Sequence, residues 1–306
     1  NINGGANQTV SSGAGTTATV SAPTGTSGTF TYNLVSVSSA TGCSQTQTGS
    51  STVTVNPLPT ATISGTATVC QNATAPTVTF TGANGTAPYT FTYNINGGAN
   101  QTVSSGAGTT ATVSAPTGTS GTFTYNLVSV AASTGCSQTQ TGSATVTVNP
   151  LPTATISGTT TLCQNATAPT ITFTGANSTA PYTFTYNING GANQTVSSGA
   201  GTTATVTAPT GTAGTFTYNL VSVSSATGCS QTQTGSATVT VNPLPTATIS
   251  GTATVCQNAT APTITFSGAN GTTPYTFTYT INGGANQTVS SGAGSTASVT
   301  DRKSVV

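Results

Sequence analysis

The sequence predicts an all-β protein built from copies of one two-layered strand domain. Residues recur with a period of 93, apolar side chains alternate with Thr along each segment, and Gly-rich turns separate the segments. An alternation with period two places the apolar side chains on one face of a strand. No sustained helical period competes with it, so we expect short strands packed as sandwiches, about seven to a repeat.

The repeat defines the domain organisation. Residues 60–152 and 153–245 align without gaps and differ at nine positions. A period of 93 residues is too long for a solenoid coil and matches a small β domain with its own core. The marker segment Asn-Ile-Asn-Gly-Gly-Ala-Asn-Gln-Thr-Val begins at Asn1, Asn94 and Asn187, and it returns with one change at Thr280.

Proline-rich linkers set the boundaries that we predict. Asn-Pro-Leu-Pro occurs at residues 56–59, 149–152 and 242–245, where two prolines stop ladder pairing and stiffen the connection. The predicted parts are the end of a repeat at 1–56, complete repeats at 60–149 and 153–242, and the start of another at 246–300. The partial copies lack strands, so we expect poor packing and exposed strand edges there.

Apolar alternation marks five segments of the first complete repeat as strands. Asn96-Gly97 follows the aromatic strand directly, and this dipeptide is favoured in two-residue hairpins. Such strands, punctuated by Gly turns, predict a Greek-key sandwich of immunoglobulin-like type. The alternating residues are Ala61 and Ile63; Val78 and Phe80; Tyr89, Phe91, Tyr93 and Ile95; Phe123, Tyr125 and Leu127; and Ala144, Val146 and Val148.

The chain is poor in chemically active side chains. It has no His, Glu, Trp or Met, and its only charged side chains are Asp301, Arg302 and Lys303. General acid–base catalysis needs a side chain that titrates near the working pH, and hard cations need several carboxylates. We therefore predict no catalytic residue, cofactor or metal site. We also expect no nucleic-acid binding, because there is no basic patch, and no membrane span.

Residues 301–306 break the composition of everything before them. Their Asp-Arg-Lys-Ser-Val-Val sequence is what a common short-read sequencing adapter encodes in this frame. We expect them to be a foreign tail that lies outside the fold, on what is a fragment of a longer array.

Cysteines occur at two fixed positions of the repeat, which indicates an oxidising, extracellular setting. We predict disulfides within the complete repeats, joining Cys70 to Cys136 and Cys163 to Cys229. Closing such a loop stabilises a domain by roughly 4 kcal/mol in the chain-entropy model.

Topology opposes this pairing. In a simple sandwich the turn after the first strand and the turn before the last strand lie at opposite ends. The two cysteines meet only if Ser64-Gly65 turns the first strand back. The alternative is a bridge between neighbouring repeats, such as Cys70 with Cys229.

Several short motifs resemble the PKD-like and Ig-like repeats of large surface proteins of gliding bacteria. They are Ser-Gly-x-x-x-x-Cys at 64–70, Thr-Gly-Cys-Ser at 134–137, a terminal Thr-Val-Thr-Val strand and the Asn-Pro linker. The chain lacks the Trp and the Asp-Gly-Asp turn of PKD domains, which favours the broader Ig-like class. The resemblance implies a secreted adhesin, exported by the type IX system and associated with gliding motility.

These observations predict a non-catalytic, rod-like spacer or stalk of a secreted bacterial adhesin at the cell surface. The alternative is a module that binds surface glycans or cell-surface proteins weakly and multivalently. Two roles are possible for Tyr89, Tyr93 and Tyr125: packing in the core or forming a platform on which sugars stack. Their alternation with Thr favours packing in the core. A chain without charge repulsion also permits self-association.

Overall fold

The computed structural model describes residues 1–300, and the predicted foreign tail at 301–306 lies outside them. The described chain contains 27 β-strands and no helix, so the predicted all-β class is confirmed. Accordingly, no helix in these 300 residues has the length and apolar character needed to cross a membrane. The chain divides into two compact units, the first covering Asn1–Pro150 and the second beginning at Leu151.

The first unit opens with a set of strands that form only two-stranded pairs. β1 pairs with β4 and β2 with β3, all antiparallel. No side chain of residues 1–56 is buried, and Val10 and Val37 are each 55% exposed. This region is therefore poorly packed, as expected. Its strands are β1 (Gly28–Asn33), β2 (Ser36–Ser38), β3 (Ser44–Thr46) and β4 (Ser50–Val55).

Residues 60–149 form a sandwich of two sheets. One sheet has the order β10-β7-β5, and the other has the order β6-β13-β11-β8-β9 with β12 beside β11. The strands are β5 (Thr60–Ser64), β6 (Ala67–Cys70), β7 (Thr77–Ala83), β8 (Tyr89–Ile95), β9 (Gln101–Ser104), β10 (Thr110–Ser114), β11 (Gly121–Ala132), β12 (Ser137–Thr139) and β13 (Ser143–Asn149).

The first strand of this sandwich changes sheets at Gly65. β5 pairs antiparallel with β7, whereas β6 pairs parallel with β13 in the opposite sheet. Gly65 has a φ of 113°, and a Cβ atom there would lie 2.4 Å from the carbonyl oxygen of Thr77. Only glycine fits this crossing, because it tolerates positive φ and a close backbone approach.

The last strand is also interrupted. β12 and β13 both pair with β11, and the break between them is bridged when Leu127 N–H donates to the Gly142 carbonyl at 2.9 Å. Gln140 in this break accepts the Ala61 N–H at 3.3 Å through its Oε1 atom. With the first and last strands each split in two, the nine segments correspond to the seven strands predicted from the sequence.

A cluster of aromatic and β-branched side chains fills the space between these sheets. The Phe80 ring centroid lies 5.7 Å from that of Phe91 and 5.0 Å from that of Tyr93. Both Phe80 and Phe91 are completely buried, so truncating either to Ala should cost about 3–5 kcal/mol. The predicted apolar alternation thus forms the core, which also includes Val78, Tyr125, Leu127, Val130, Val146 and Val148.

The second unit repeats this architecture in residues 153–242. Its sheets have the orders β14-β16-β19 and β15-β22-β20-β17-β18, with β21 beside β20. The strands are β14 (Thr153–Ser157), β15 (Thr160–Cys163), β16 (Thr170–Ala176), β17 (Thr183–Ile188), β18 (Gln194–Ser197), β19 (Thr203–Thr207), β20 (Gly214–Ser224), β21 (Ser230–Thr232) and β22 (Ser236–Asn242).

The remaining strands of the second unit form small sheets with a reduced core. β24 pairs with β23 and β27, and β25 pairs with β26. Only Phe266, Phe277 and Ala297 are buried there, and Ile249 is 66% exposed. The strands are β23 (Thr246–Ser250), β24 (Thr263–Ala269), β25 (Thr276–Tyr279), β26 (Gln287–Ser290) and β27 (Thr296–Thr300).

Candidate functional site: the cysteine-bearing ends of each repeat

The tyrosines that could have formed a sugar platform lie in the core. Tyr89, Tyr93 and Tyr125 have exposed fractions of 2%, 4% and 0%. Sugar stacking requires a ring face that is open to solvent, and these faces are covered by neighbouring side chains. Core packing, the interpretation that the alternation with Thr favours, is confirmed.

Tyr89 is held at both ends of its side chain. Its ring lies over Gly82, where a Cβ atom would come within 2.6 Å of the ring. Its hydroxyl donates to the Gly85 carbonyl at 2.7 Å and accepts the Gly85 N–H at 3.0 Å. These two hydrogen bonds close the loop between β7 and β8, so this tyrosine has a structural role.

Tyr125 is buried with an unsatisfied hydroxyl. Its Oη atom has no hydrogen-bond partner, and burial, with a smaller contribution from Tyr93, raises the pKa of this phenol above its usual value. The equivalent Tyr218 has its pKa raised for the same reasons, with Tyr186 as the neighbour. Neither phenol can therefore act as a base near neutral pH.

A cleft of about 400 Å³ lies in the second unit, lined among others by Pro245, Gly271, Tyr275 and Phe277. In the first complete repeat Ala132 of β11 lies beside the equivalent position, where a Cβ atom on Gly85 would be 2.9 Å from the Ala132 Cβ atom. Residues 246–300 contain no counterpart of β11. The cleft is therefore uncovered core, and its polar lining consists of threonine hydroxyls, the Asn242 amide and the Tyr275 phenol, with no charged side chain.

No group of three or more His, Cys, Asp or Glu side chains that could hold a metal ion occurs within the described residues 1–300. The remaining reactive side chains of this region are the six cysteines. Their positions at the ends of the repeats make them the candidate functional groups.

Cys70 lies at the trailing end of the first complete repeat. It ends β6, where it is paired with Asn149, the last residue of β13. The next residue, Gln71, donates its backbone N–H to the Asn149 carbonyl at 2.8 Å. Asn149 begins the linker at 149–152, so Cys70 sits where the chain leaves the repeat.

Cys136 lies at the leading end of the same repeat. It occupies the turn after β11, where Ala132 N–H donates to the Cys136 carbonyl at 2.9 Å. Its Sγ atom lies 4.0 Å from the carbonyl oxygen of Asn56, which begins the linker that precedes the repeat. The two cysteines of one repeat therefore face two different linkers.

The length of β11 separates these ends. Gly121 at its start pairs with Val148, beside the Cys70 end, and Ala132 at its finish adjoins Cys136. At about 3.3 Å per residue this strand spans roughly 35 Å. A disulfide requires Cα atoms within about 7 Å of each other.

The structure accordingly does not form the predicted pairs within repeats. Cys70 and Cys229 are disulfide-bonded, whereas Cys136 and Cys163 carry free thiols. Gly65 shifts the first strand between sheets without reversing it, so the turn-back needed for Cys70 to reach Cys136 does not occur.

The second complete repeat places its cysteines in the same way. Cys163 pairs with Asn242 at the end of β22, and Ser225 N–H donates to the Cys229 carbonyl at 3.0 Å in the turn after β20. Cys229 is completely buried. Among the described cysteines Cys43 and Cys256, in the partial copies, are also free.

Fold and site together define a class: tandem Ig-like β-sandwiches with buried aromatic side chains and cysteines at the repeat ends. No protein-family model matches the chain, and no curated protein matches it.

Solved structures to which the chain is similar include that of a 1.5-MDa bacterial ice-binding adhesin. It is 17% identical over 80% of this chain and 87% of that one, with a TM-score of 0.35. An I-band fragment of titin is 14% identical over 78% and 83%, with a TM-score of 0.43. A tetra-tandem repeat from the extending region of a large adhesion protein is 15% identical over 92% and 75%, with a TM-score of 0.29.

Proposed function

We propose that the chain is a non-catalytic, rod-like spacer in the stalk of an adhesin at a bacterial cell surface. The observation that carries this proposal is that the aromatic side chains of the complete repeats are committed to the cores. The near-identity of residues 60–152 and 153–245 supports it further, because repetition sets length, whereas a specific site would need only one copy.

The proposed absence of catalysis follows from the side chains present. Residues 1–300 contain no His, Asp, Glu, Lys or Arg, so the side chains that can titrate are those of tyrosine and cysteine. The pKa values of Tyr125 and Tyr218 are raised, away from neutral pH. Proton transfer during a reaction therefore lacks the His, carboxylate and Lys side chains that usually carry it out.

The proposed location is extracellular. Disulfides persist in oxidising compartments, and Cys70 and Cys229 are disulfide-bonded. The resemblance to PKD-like and Ig-like repeats of gliding bacteria suggests secretion by the type IX system and a role linked to gliding. The low charge of the surface suits association with neighbouring copies, surface glycans or surface proteins.

A reach assay tests the spacer function. A lectin of known specificity is joined to a bead either through residues 1–300 or through the linker residues 149–152 alone. The beads are then offered the sugar beneath a polymer brush. We expect binding only with the long chain. Equal binding by both beads would contradict the spacer role.

The same beads without the lectin test the alternative. Coated with increasing densities of the chain, they are applied to a glycan array and to immobilised cell-surface proteins. The spacer predicts no retention at any density. Retention that rises steeply with density would instead support multivalent weak binding.

A further inference from the structure

Four turns of the chain share an Asn-Gly sequence but differ in their surroundings. Their asparagines are Asn3, Asn96, Asn189 and Asn282. An asparagine side chain loses ammonia most readily before glycine, because glycine has no Cβ atom to hinder attack by its own nitrogen. All four asparagines have a φ between 47° and 53°, so the backbone at the asparagine is the same in each turn. What distinguishes the turns is the set of groups that hold the reacting atoms.

In the complete repeats the asparagine side chain is docked on a neighbouring strand. Asn96 accepts the Thr124 N–H at 2.8 Å and donates to the Thr122 carbonyl at 3.1 Å. Asn189 makes the equivalent bonds to β20, at 2.7 Å and 3.1 Å. Loss of ammonia requires the side-chain Cγ atom to rotate toward the next backbone nitrogen. This rotation breaks both hydrogen bonds, so docking opposes the reaction.

The backbone nitrogen that would attack is held as well. Gly97 N–H donates to the Asn94 Oδ1 atom at 3.0 Å, and Gly190 N–H donates to the Asn187 Oδ1 atom at 3.1 Å. This bond has to break before the nitrogen can approach the Cγ atom. In the complete repeats a hydrogen bond therefore restrains each of the two atoms that must meet.

The last of the four turns lacks these restraints. It keeps the hydrogen bond from the Gly284 N–H to the Ile281 carbonyl, at 2.9 Å, that closes the turn. This part of the chain has no counterpart of β11, and Thr280 replaces the asparagine that holds the glycine N–H elsewhere. Within the described residues 1–300, neither the Asn282 side chain nor the Gly283 N–H makes a hydrogen bond.

We propose that Asn282 is a site of spontaneous modification, at which the side-chain amide becomes a carboxylate, whereas docking on β11 and β20 protects the equivalent turns of the complete repeats. The Gly283 nitrogen attacks the Asn282 Cγ atom and forms a C–N bond. The Nδ2 atom leaves as ammonia and takes the proton of the Gly283 nitrogen with it. Water then opens the five-membered imide, giving its hydroxyl to one carbonyl carbon and its proton to the nitrogen. The product is aspartate or isoaspartate, and no oxidant is consumed.

Three other Asn-Gly pairs are partly restrained. Asn3 is docked on the Thr31 N–H at 2.7 Å and the Thr29 carbonyl at 3.2 Å, but the N–H of the following glycine has no partner within residues 1–300. Asn84 and Asn270 each donate to a threonine hydroxyl, at 3.0 Å and 3.3 Å. The glycine after each of them donates its N–H to a tyrosine hydroxyl at 3.0 Å. Each of these three sites has two restraining bonds.

The number of restraining bonds predicts an order of reaction rates. Breaking one hydrogen bond of ordinary net strength slows a reaction by about fivefold. Asn282, with none, should react fastest. Sites with two restraining bonds should react about 25-fold more slowly, and Asn96 and Asn189, with three, on the order of 100-fold more slowly.

The reaction would change the electrostatics of the chain. Residues 1–300 contain no charged side chain, so a carboxylate at Asn282 would be the first in this region. The same change at Asn96 would place a carboxylate oxygen against the Thr122 carbonyl, which now accepts a hydrogen bond from the amide. Two facing oxygen atoms repel each other, so the turn would leave the strand. The modification therefore marks turns that are not covered by a neighbouring strand.

Ageing of the intact chain tests the proposal. The chain is incubated in mildly alkaline buffer, sampled over time, denatured and digested with chymotrypsin, which cuts after aromatic residues. Acetylating the amino terminus first distinguishes the peptide of Asn3 from the otherwise identical peptide of Asn96. Mass spectrometry then measures the conversion of each amide to a carboxyl group. We expect Asn282 to react first. Equal rates at Asn282 and Asn96, or no conversion of Asn282, would overturn the proposal.

The same incubation in guanidinium chloride is the control for local sequence. Unfolding removes every docking contact, so the four turns should then react at similar rates. A difference between Asn282 and Asn96 that persists in denaturant would assign the effect to Thr280 as a sequence neighbour, and would overturn protection by docking. These rates do not depend on the spacer function, so the two proposals can fail separately.

Matched variants exchange one restraint between the turns. Thr280→Asn supplies an acceptor for the Gly283 N–H and should slow the reaction of Asn282 by about fivefold. Asn94→Thr removes the acceptor of the Gly97 N–H and should speed the reaction of Asn96 by a similar factor. Far-ultraviolet circular dichroism confirms that both variants fold. Unchanged rates in both folded variants would overturn the proposed protection.

Discussion

At the scale of single residues, Asn96 shows how a turn is fastened to the sandwich. Its φ of 52° places it in the left-handed region, followed by Gly97 at 74°. Its side chain accepts the Thr124 N–H at 2.8 Å and donates to the Thr122 carbonyl at 3.1 Å. The amide thus pairs with β11 as another strand would. The sequence predicted the turn but gave no sign of this docking.

Replacing Asn96 separates these two contributions. Asn96→Gly keeps the left-handed backbone but loses two hydrogen bonds, and we expect a loss of about 1–2 kcal/mol in the unfolding free energy. Asn96→Ala should lose roughly 1 kcal/mol more, because alanine disfavours positive φ. Denaturant unfolding measures both. Equal stability of the two variants and the parent would contradict this role.

A second residue-scale prediction concerns the buried hydroxyl of Tyr125. Because its Oη atom has no partner, Tyr125→Phe should leave the unfolding free energy unchanged or increase it, by up to about 1–2 kcal/mol. Tyr89→Phe is the matched control and should destabilise, since it loses both hydrogen bonds to Gly85. Destabilisation of the Tyr125 variant would reveal a bond that the structure lacks.

The raised pKa of Tyr125 also determines how the folding stability changes at alkaline pH. Above the ordinary tyrosine pKa of about 10 the unfolded chain releases the phenolic proton first. Stability is therefore fully present below that pH and falls as the pH rises toward the folded-state pKa. With the cysteines alkylated, Tyr125→Phe should reduce this alkaline loss.

Some residue-scale features could not be predicted, because they depend on two substitutions at once. The repeats differ where Gly85 and Ala132 become Ser178 and Ser225. In the second repeat the Ser178 hydroxyl donates to the Ser225 hydroxyl at 2.9 Å. Aligning the repeats shows two mild changes, and only the structure shows that they touch.

At the scale of elements, the apolar alternation located β5, β7, β8, β11 and β13 of the first complete repeat, whereas β9 and β10 were not assigned to particular residues. Strand pairing was harder to predict, because the first and last strands are split and the halves of the first belong to different sheets. The sequence analysis identified Ser64-Gly65 as a point where the first strand could turn. The direction in which the chain turns there determines the position of Cys70, and no local sequence pattern encodes that direction.

Replacing Gly65 tests the point at which the first strand passes from one sheet to the other. Gly65→Ala places a Cβ atom against the Thr77 backbone at positive φ, so we expect a loss of roughly 2–4 kcal/mol. Gly118→Ala is the matched control, because nothing lies within 4 Å of a Cβ atom there. It should be neutral or slightly stabilising. Thermal unfolding compares the two variants. Similar melting temperatures would contradict the close approach of Gly65 to the Thr77 backbone.

At the scale of the whole molecule, the lack of charge determines the response to pH. Acid unfolding arises mainly from carboxylates and histidines whose pKa values differ between the folded and unfolded states. Residues 1–300 contain neither. We expect the melting temperature to vary by less than about 2 °C between pH 3 and pH 8, and to respond little to salt. A steep acid transition would contradict this.

The central claim is that residues 60–149 and 153–242 each close around their own core. Residue-resolved amide hydrogen exchange on the whole oxidised chain tests it most directly. We expect two protected sets, in β7, β8, β11 and β13 and in their counterparts β16, β17, β20 and β22, with rapid exchange at Leu151, the residue between the two sandwiches that carries a backbone N–H. Uniform rapid exchange, or protection of the Leu151 amide equal to that of the strands, would contradict the account.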